Sequence, residues 1–170
     1  MYEKLIVNWQ NGDHDIDIIG FSRGAALAVH FSNVISKVGI QVDDAEIASP
    51  DIRFLGIWDI VGSFGVPINI VLKFQEINIG YDLNASENVR HCFHAMALNE
   101  RRQTFQVTRL DTGNQNNNIE ELWFRGVHSD VGGGNGNISL SNISLKWMME
   151  KGKLCGLPID ESVISGVASK

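Results

Sequence analysis

The chain has 170 residues, 44% hydrophobic and 20% charged, which is enough apolar content for one packed domain and too much for a disordered one. Its formal charge is −6, from 14 Lys and Arg against 20 Asp and Glu, and no stretch concentrates basic residues, so a nucleic-acid partner is not expected. Cys92 and Cys155 are too few for a disulfide framework and form no C-x-x-C pair for a metal or redox centre.

The N-terminus shows no basic segment leading into a long apolar run, so no signal peptide is read and cytoplasmic synthesis is expected. The run from Phe64 to Leu72 is broken by Gly65, Pro67 and Asn69 and falls short of the ~20 residues that span a membrane. Membrane contact, if any, is expected to be peripheral. Asp15 to Ile19 is a β-branched segment running into Gly20 and predicts a buried strand of a parallel sheet. Leu27, Ala28, Phe31, Val34, Ile35 and Val38 then recur at helical spacing, and Gly39 is placed to close that helix. Arg53 to Trp58 predicts a second buried strand, with Asp59 at its end. From Asn88 to Leu98, apolar residues at 89, 92, 93, 96 and 97 predict a helix packed on the sheet. Phe105 to Leu110 reads as a strand, Asp111 to Asn118 as a polar surface turn, and Glu121 to Phe124 as a short strand. A glycine-rich segment, Gly132 to Gly136, precedes an amphipathic helix from Ser141 to Glu150 that ends at Gly152. Strands alternating with helices predict an α/β fold with a mainly parallel sheet flanked by helices.

Gly20-Phe-Ser-Arg-Gly24 has the form G-x-S-x-G and lies between a predicted strand and a predicted helix, where it makes a sharp turn that exposes a serine hydroxyl. Ser22 is therefore a candidate nucleophile, with Gly20 and Gly24 letting strand and helix approach. The backbone N–H of Arg23 is a candidate oxyanion-hole donor. A serine needs a base, and histidine, with an unperturbed pKa of ~6.5, is the suitable side chain. Of the five histidines, His128 is preferred because it follows a predicted strand in a glycine-rich loop. His14 reads as solvated and His30 as a helix-surface residue. His91 and His94, at helical i, i+3 spacing, suit a metal only if further ligands converge, and a structural role is the expected one. The carboxylate that orients the imidazole is expected to be Asp59, giving the chain order Ser, Asp, His. Asp111 is a weaker candidate. Asp130, with Gly132 and Gly133, is expected to order the loop through backbone hydrogen bonds. No metal and no cofactor are expected.

These segments resemble the family of α/β-hydrolases catalogued as the uncharacterised domain DUF2235, which includes phospholipase effectors of type VI secretion. The matching blocks are Gly20 to Ala25, Gly56-Ile-Trp-Asp-Ile-Val-Gly62, His94-Ala-Met-Ala-Leu-Asn-Glu-Arg-Arg102 and, most specifically, Trp123-Phe-Arg-Gly-Val-His-Ser-Asp-Val-Gly-Gly-Gly134. By that resemblance Ser22 is the nucleophile, Asp59 the acid and His128 the base of an enzyme that hydrolyses a carboxylic ester, with phospholipid acyl chains as substrate. Secretion without a signal peptide is also implied. Asn99 stands where such sequences usually carry Asp, Arg125 where they carry Pro, and Ile60 where they carry Thr. The family domain begins with strands ahead of the nucleophile block, so residues 1–170 are expected to form a single domain lacking those strands. That leaves a sheet edge open to a partner chain and one oxyanion donor to be found, a donor being worth ~3–4 kcal/mol in the transition state. The alternative reading is an inactive hydrolase-fold remnant that serves binding or assembly.

Overall fold

In the computed structural model, which describes residues 2–41, 47–62, 83–110, 118–136 and 138–167, the chain opens with a helix that the sequence reading did not expect. This is α1, Tyr2–Gln10, whose Leu5, Ile6 and Trp9 rest partly buried on the core. The predicted first strand follows as β1, Ile16–Phe21, and leads through Ser22 into α2, Arg23–Val38. Gly39 closes α2 with a positive φ of 72° and returns its N–H to the Ile35 carbonyl at 2.9 Å. A small antiparallel pair, β2 (Ile40–Gln41) and β3 (Ile47–Ala48), leads to β4, Ile52–Trp58.

The later elements are β5 (Cys92–Ala97), a 3₁₀ turn (Gln103–Phe105), β6 (Ile119–Phe124) and the one-turn helix α3 (His128–Val131). Helices α4 (Ser139–Leu154) and α5 (Glu161–Gly166) complete the described chain. Strands β1, β4, β5 and β6 form one all-parallel sheet in that spatial order. The expected α/β architecture is therefore present: α2 covers one face and α4 the other.

Two apolar layers follow from strand alternation. Ala25, Ala26, Val29 and Ile35 of α2 pack with Ile52, Leu55 and Ile57 on one face. Phe93, Ala95 and Ala97 of β5 meet Phe124, Val131 and Met148 on the other. Gly56 is part of this second contact, since a Cβ there would come within 2.5 Å of the Phe54 ring and 3.1 Å of Met148 Sδ.

The predicted helix over Asn88 to Leu98 is corrected to strand β5. It lies between β4 and β6 and is buried at all six positions, so both of its faces are apolar and the two-residue alternation of a strand is lost. What remained was an apolar spacing that imitates a helical stripe. Phe105 to Leu110 is likewise not a sheet strand: Phe105 ends the 3₁₀ turn beneath the Arg102 guanidinium, 3.9 Å from its ring centre, and Val107 makes a single bridge to Val61. The last long helix runs past Gly152 to Leu154, because a glycine inside the helix lets Leu157 and Ile159 fold back onto it. The Phe64 to Leu72 run and Asp111 lie outside the described residues. Among those described, no helix is long and apolar enough to cross a membrane.

Candidate active site

Parallel strands gather their carboxyl ends on one edge, and the candidate residues Ser22, Asp59 and His128 each follow such an end. Ser22 continues the β1–β4 ladder through its N–H to the Trp58 carbonyl at 2.9 Å, then turns with φ 60° and ψ −126° directly into α2. That backbone region is sparsely populated for any residue but glycine and stores strain. Its carbonyl accepts from Ala25 N at 3.0 Å and Ala26 N at 3.3 Å, so the first turn of α2 fixes the bend. Arg23 is the first residue of α2, where a backbone N–H has no partner within the helix.

The two glycines of the motif differ. A Cβ on Gly20 would lie 2.5 Å from the Gly24 carbonyl and 2.7 Å from Ala25 Cα, both backbone atoms that cannot yield. At Gly24 an added Cβ would meet nothing within 4 Å, which corrects the expectation that both glycines serve the approach of strand and helix. Gly20→Ala is expected to lower unfolding free energy by about 1–3 kcal/mol, read as a shifted urea midpoint, while Gly24→Ala leaves the free energy within about 1 kcal/mol of wild type.

Asp59 is fully buried just beyond β4, with a positive φ of 43°. Its N–H bonds the Ala95 carbonyl at 2.8 Å, and its Oδ1 accepts the Ala97 N–H at 2.7 Å. Its Oδ2 meets Nδ1 of His128 at 2.6 Å. Facing a carboxylate, Nδ1 carries the proton and Nε2 is left as an acceptor. His128 starts α3 after Gly126 (φ 121°) and Val127. Asp130 steadies that turn by accepting the Val127 N–H at 3.0 Å and a bond from Asn135.

Phe21, next to Ser22, stacks on the His128 ring at 4.6 Å, and Phe105 meets the same ring edge-on at 5.0 Å. Gly132 makes this possible, because a Cβ there would overlap the Phe21 ring. Gly133 has open space around it but a φ of 89°, so it is needed for conformation alone. The serine turn and the histidine turn are thus joined through one phenylalanine. Among the other histidines, His14 stacks on Trp9, His30 is half-buried on α2 and His91 is exposed beside Phe93. His94 lies on β5 while His91 precedes it, exposed, and among the described residues no group of three or more His, Cys, Asp or Glu could hold a metal.

Two buried carboxylates, one of them bonded to His128, escaped the sequence reading. Glu100 accepts the His128 N–H at 3.2 Å, the Arg101 N–H at 2.9 Å and the Arg102 N–H at 2.8 Å. The Arg102 guanidinium, against the opposing effect of burial and helped by the amides, holds its carboxyl at about 2. Asn99 beside it pairs with Gly126 in both directions at 2.9 Å, tying the β5 and β6 ends together. Glu121 on β6 is the second: burial opposes its charge, but bonds from His94, the Leu110 amide and Arg109 bring its carboxyl to about 2. An unfolded glutamate titrates near ~4.3, so the folded protein binds fewer protons below that value. Stability is then full above pH ~4.3 and is lost as pH falls toward about 2. Urea midpoints measured across that range should drop, and Glu121→Gln should flatten part of the drop.

Residues 41–151 match the family described as T6SS phospholipase effector Tle1-like, catalytic domain. Among solved structures, an uncharacterized protein from Pseudomonas aeruginosa is similar with a TM-score of 0.64 at 24% identity, over 96% of this chain and 27% of that one. The Tle1 effector bound to the VgrG spike of the type 6 secretion system is similar with a TM-score of 0.54 at 30% identity, over 72% of this chain and 25% of that one. The chain thus spans about a quarter of the length of each. No curated protein matches.

Proposed function

The chain belongs to the Tle1-like family of type VI secretion phospholipase effector catalytic domains, and we propose that it hydrolyses a lipid acyl ester through Ser22, His128 and Asp59. The observation that carries this reading is the buried 2.6 Å bond between Asp59 and His128, set beside a serine in a strained turn whose neighbour stacks on the same imidazole. In the proposed reaction, Ser22 Oγ attacks the ester carbonyl and gives its proton to His128 Nε2. The oxyanion of the tetrahedral intermediate takes a bond from the Arg23 N–H at the start of α2, where the helix dipole favours negative charge. Collapse breaks the C–O bond, and the leaving alcohol takes the proton from His128. Water then attacks the acyl-enzyme, His128 receives its proton, and the freed acid leaves Ser22 with its hydroxyl restored.

Among the described residues β1 pairs with β4 alone, and Ile19 is 62% exposed on it. A cavity of about 360 Å³, lined by Ile19, Phe21, Trp58, Val131 and Leu145, opens beside that edge. We read this edge as the docking place of a partner chain, which would add a strand and the second oxyanion donor. Secretion through the type VI route is part of the same proposal.

A fluorophosphonate probe tests the chemistry directly. Mass spectrometry is expected to map one adduct to Ser22 and none in His128→Ala. A folded wild-type chain that takes no adduct would instead favour a hydrolase-fold remnant acting in binding or assembly.

A further inference from the structure

Outside the three residues assigned to chemistry, the fully buried His94 on β5 makes two bonds that together fix its protonation. Its Nε2 lies 3.3 Å from the backbone N of Ile60, and a backbone N–H can only donate, so Nε2 must be the bare acceptor. The proton of the neutral ring is then on Nδ1, where it donates to Glu121 Oε1 at 3.0 Å. Glu121 is held ionised as that acceptor, its second oxygen receiving Arg109 Nε at 2.8 Å.

The Ile60 amide is no incidental partner. It belongs to the peptide that leaves Asp59, so its orientation sets the ψ of the residue whose carboxylate faces His128. The following residue, Val61, sends its N–H to the Ser22 carbonyl at 3.4 Å, and the Ile60 carbonyl accepts from Thr108 N at 2.9 Å. Residues 60 and 61 therefore strap the acid turn to the serine turn, and His94 pins the strap from inside the sheet. Ile60 is itself fully buried, so without the imidazole its amide would be left unpaired away from water and the peptide would rotate to find a partner.

We infer that His94, locked in its Nδ1–H tautomer by Glu121, is a positioning residue that holds the Asp59 carboxylate on His128 through the Ile60 peptide. The inference rests on the reading of Ser22, Asp59 and His128 as a triad and gives that site a second, inner carboxylate–histidine pair.

The test is proton and nitrogen NMR of the full chain labelled with [¹⁵N]histidine, alongside the rate of phosphonylation of Ser22. Wild type is expected to show His94 with Nδ1 protonated and Nε2 bare, and a downfield Nδ1–H resonance for His128 from its short bond to Asp59. His94→Gln, whose amide can accept from Ile60 and donate to Glu121, should keep the His128 resonance and label within a few-fold of wild type. His94→Leu should lose that resonance and label roughly tenfold to a hundredfold more slowly, with its far-UV spectrum retained. An Nε2–H tautomer at His94 in wild type would overturn the inference, as would a folded His94→Leu with the resonance and rate unchanged. Should His94→Leu not fold, the wild-type tautomer and the His94→Gln spectrum decide the matter. An intact His128 resonance that responds to His94 as described, in a protein that never labels, would overturn the hydrolase reading and leave the positioning role standing.

Discussion

Asp59→Asn is expected to slow acylation of Ser22 by about 10⁴-fold while leaving the fold in place. The size of the effect follows from the Ala97 amide. That N–H donates to Oδ1 of Asp59, so an asparagine must keep its carbonyl oxygen there and turn its NH₂ toward His128. Nδ1 then has to accept, the proton moves to Nε2, and the imidazole can no longer take the proton of Ser22. Burial gives the asparagine no water to relieve the conflict. Stopped-time labelling with a fluorophosphonate reads the rate directly. A variant labelled within tenfold of wild type would remove Asp59 from the orienting role.

Ser22→Gly should have two opposite consequences. Ester hydrolysis is expected to fall by up to about 10⁶-fold, the cost of losing a nucleophile that works as a unit with its base. His128→Ala should cost about as much, and the double variant little more than either. Stability, by contrast, should rise by about 1–3 kcal/mol in Ser22→Gly, because glycine adopts φ 60°, ψ −126° without the strain a side chain meets there. Urea unfolding of the two proteins under identical conditions measures this gain. A glycine variant less stable than wild type would mean that the serine turn stores no strain.

The placement of the candidate site's residues next to strand ends was legible in the sequence. Ser22, Asp59 and His128 each come just after an apolar run closed by small or polar residues, and parallel topology brings such positions to one edge. The mainly parallel α/β architecture was legible for the same reason. What could not be read were contacts made across strands. His94 reaches Glu121 only because β5 and β6 pair in that register, and a segment misread as a helix could not reveal it. Glu100 stood in plain view beside Arg102, but its bond to the His128 amide depends on two loops closing over each other. Helix α1 escaped although Tyr2, Leu5, Ile6 and Trp9 recur at helical spacing, because the helix spans only nine residues and none of them is fully buried.

Strand β5 also governs how the protein fails. Cys92–Ala97 carries no proline, no glycine and no permanently charged side chain, and it is sheltered on every side while the fold holds. Once released by heat, such a six-residue segment has the composition of an aggregation-prone strand and is expected to associate with its own kind. Unfolding by heat is therefore expected to follow the rate of opening, and the apparent melting temperature should climb with faster heating.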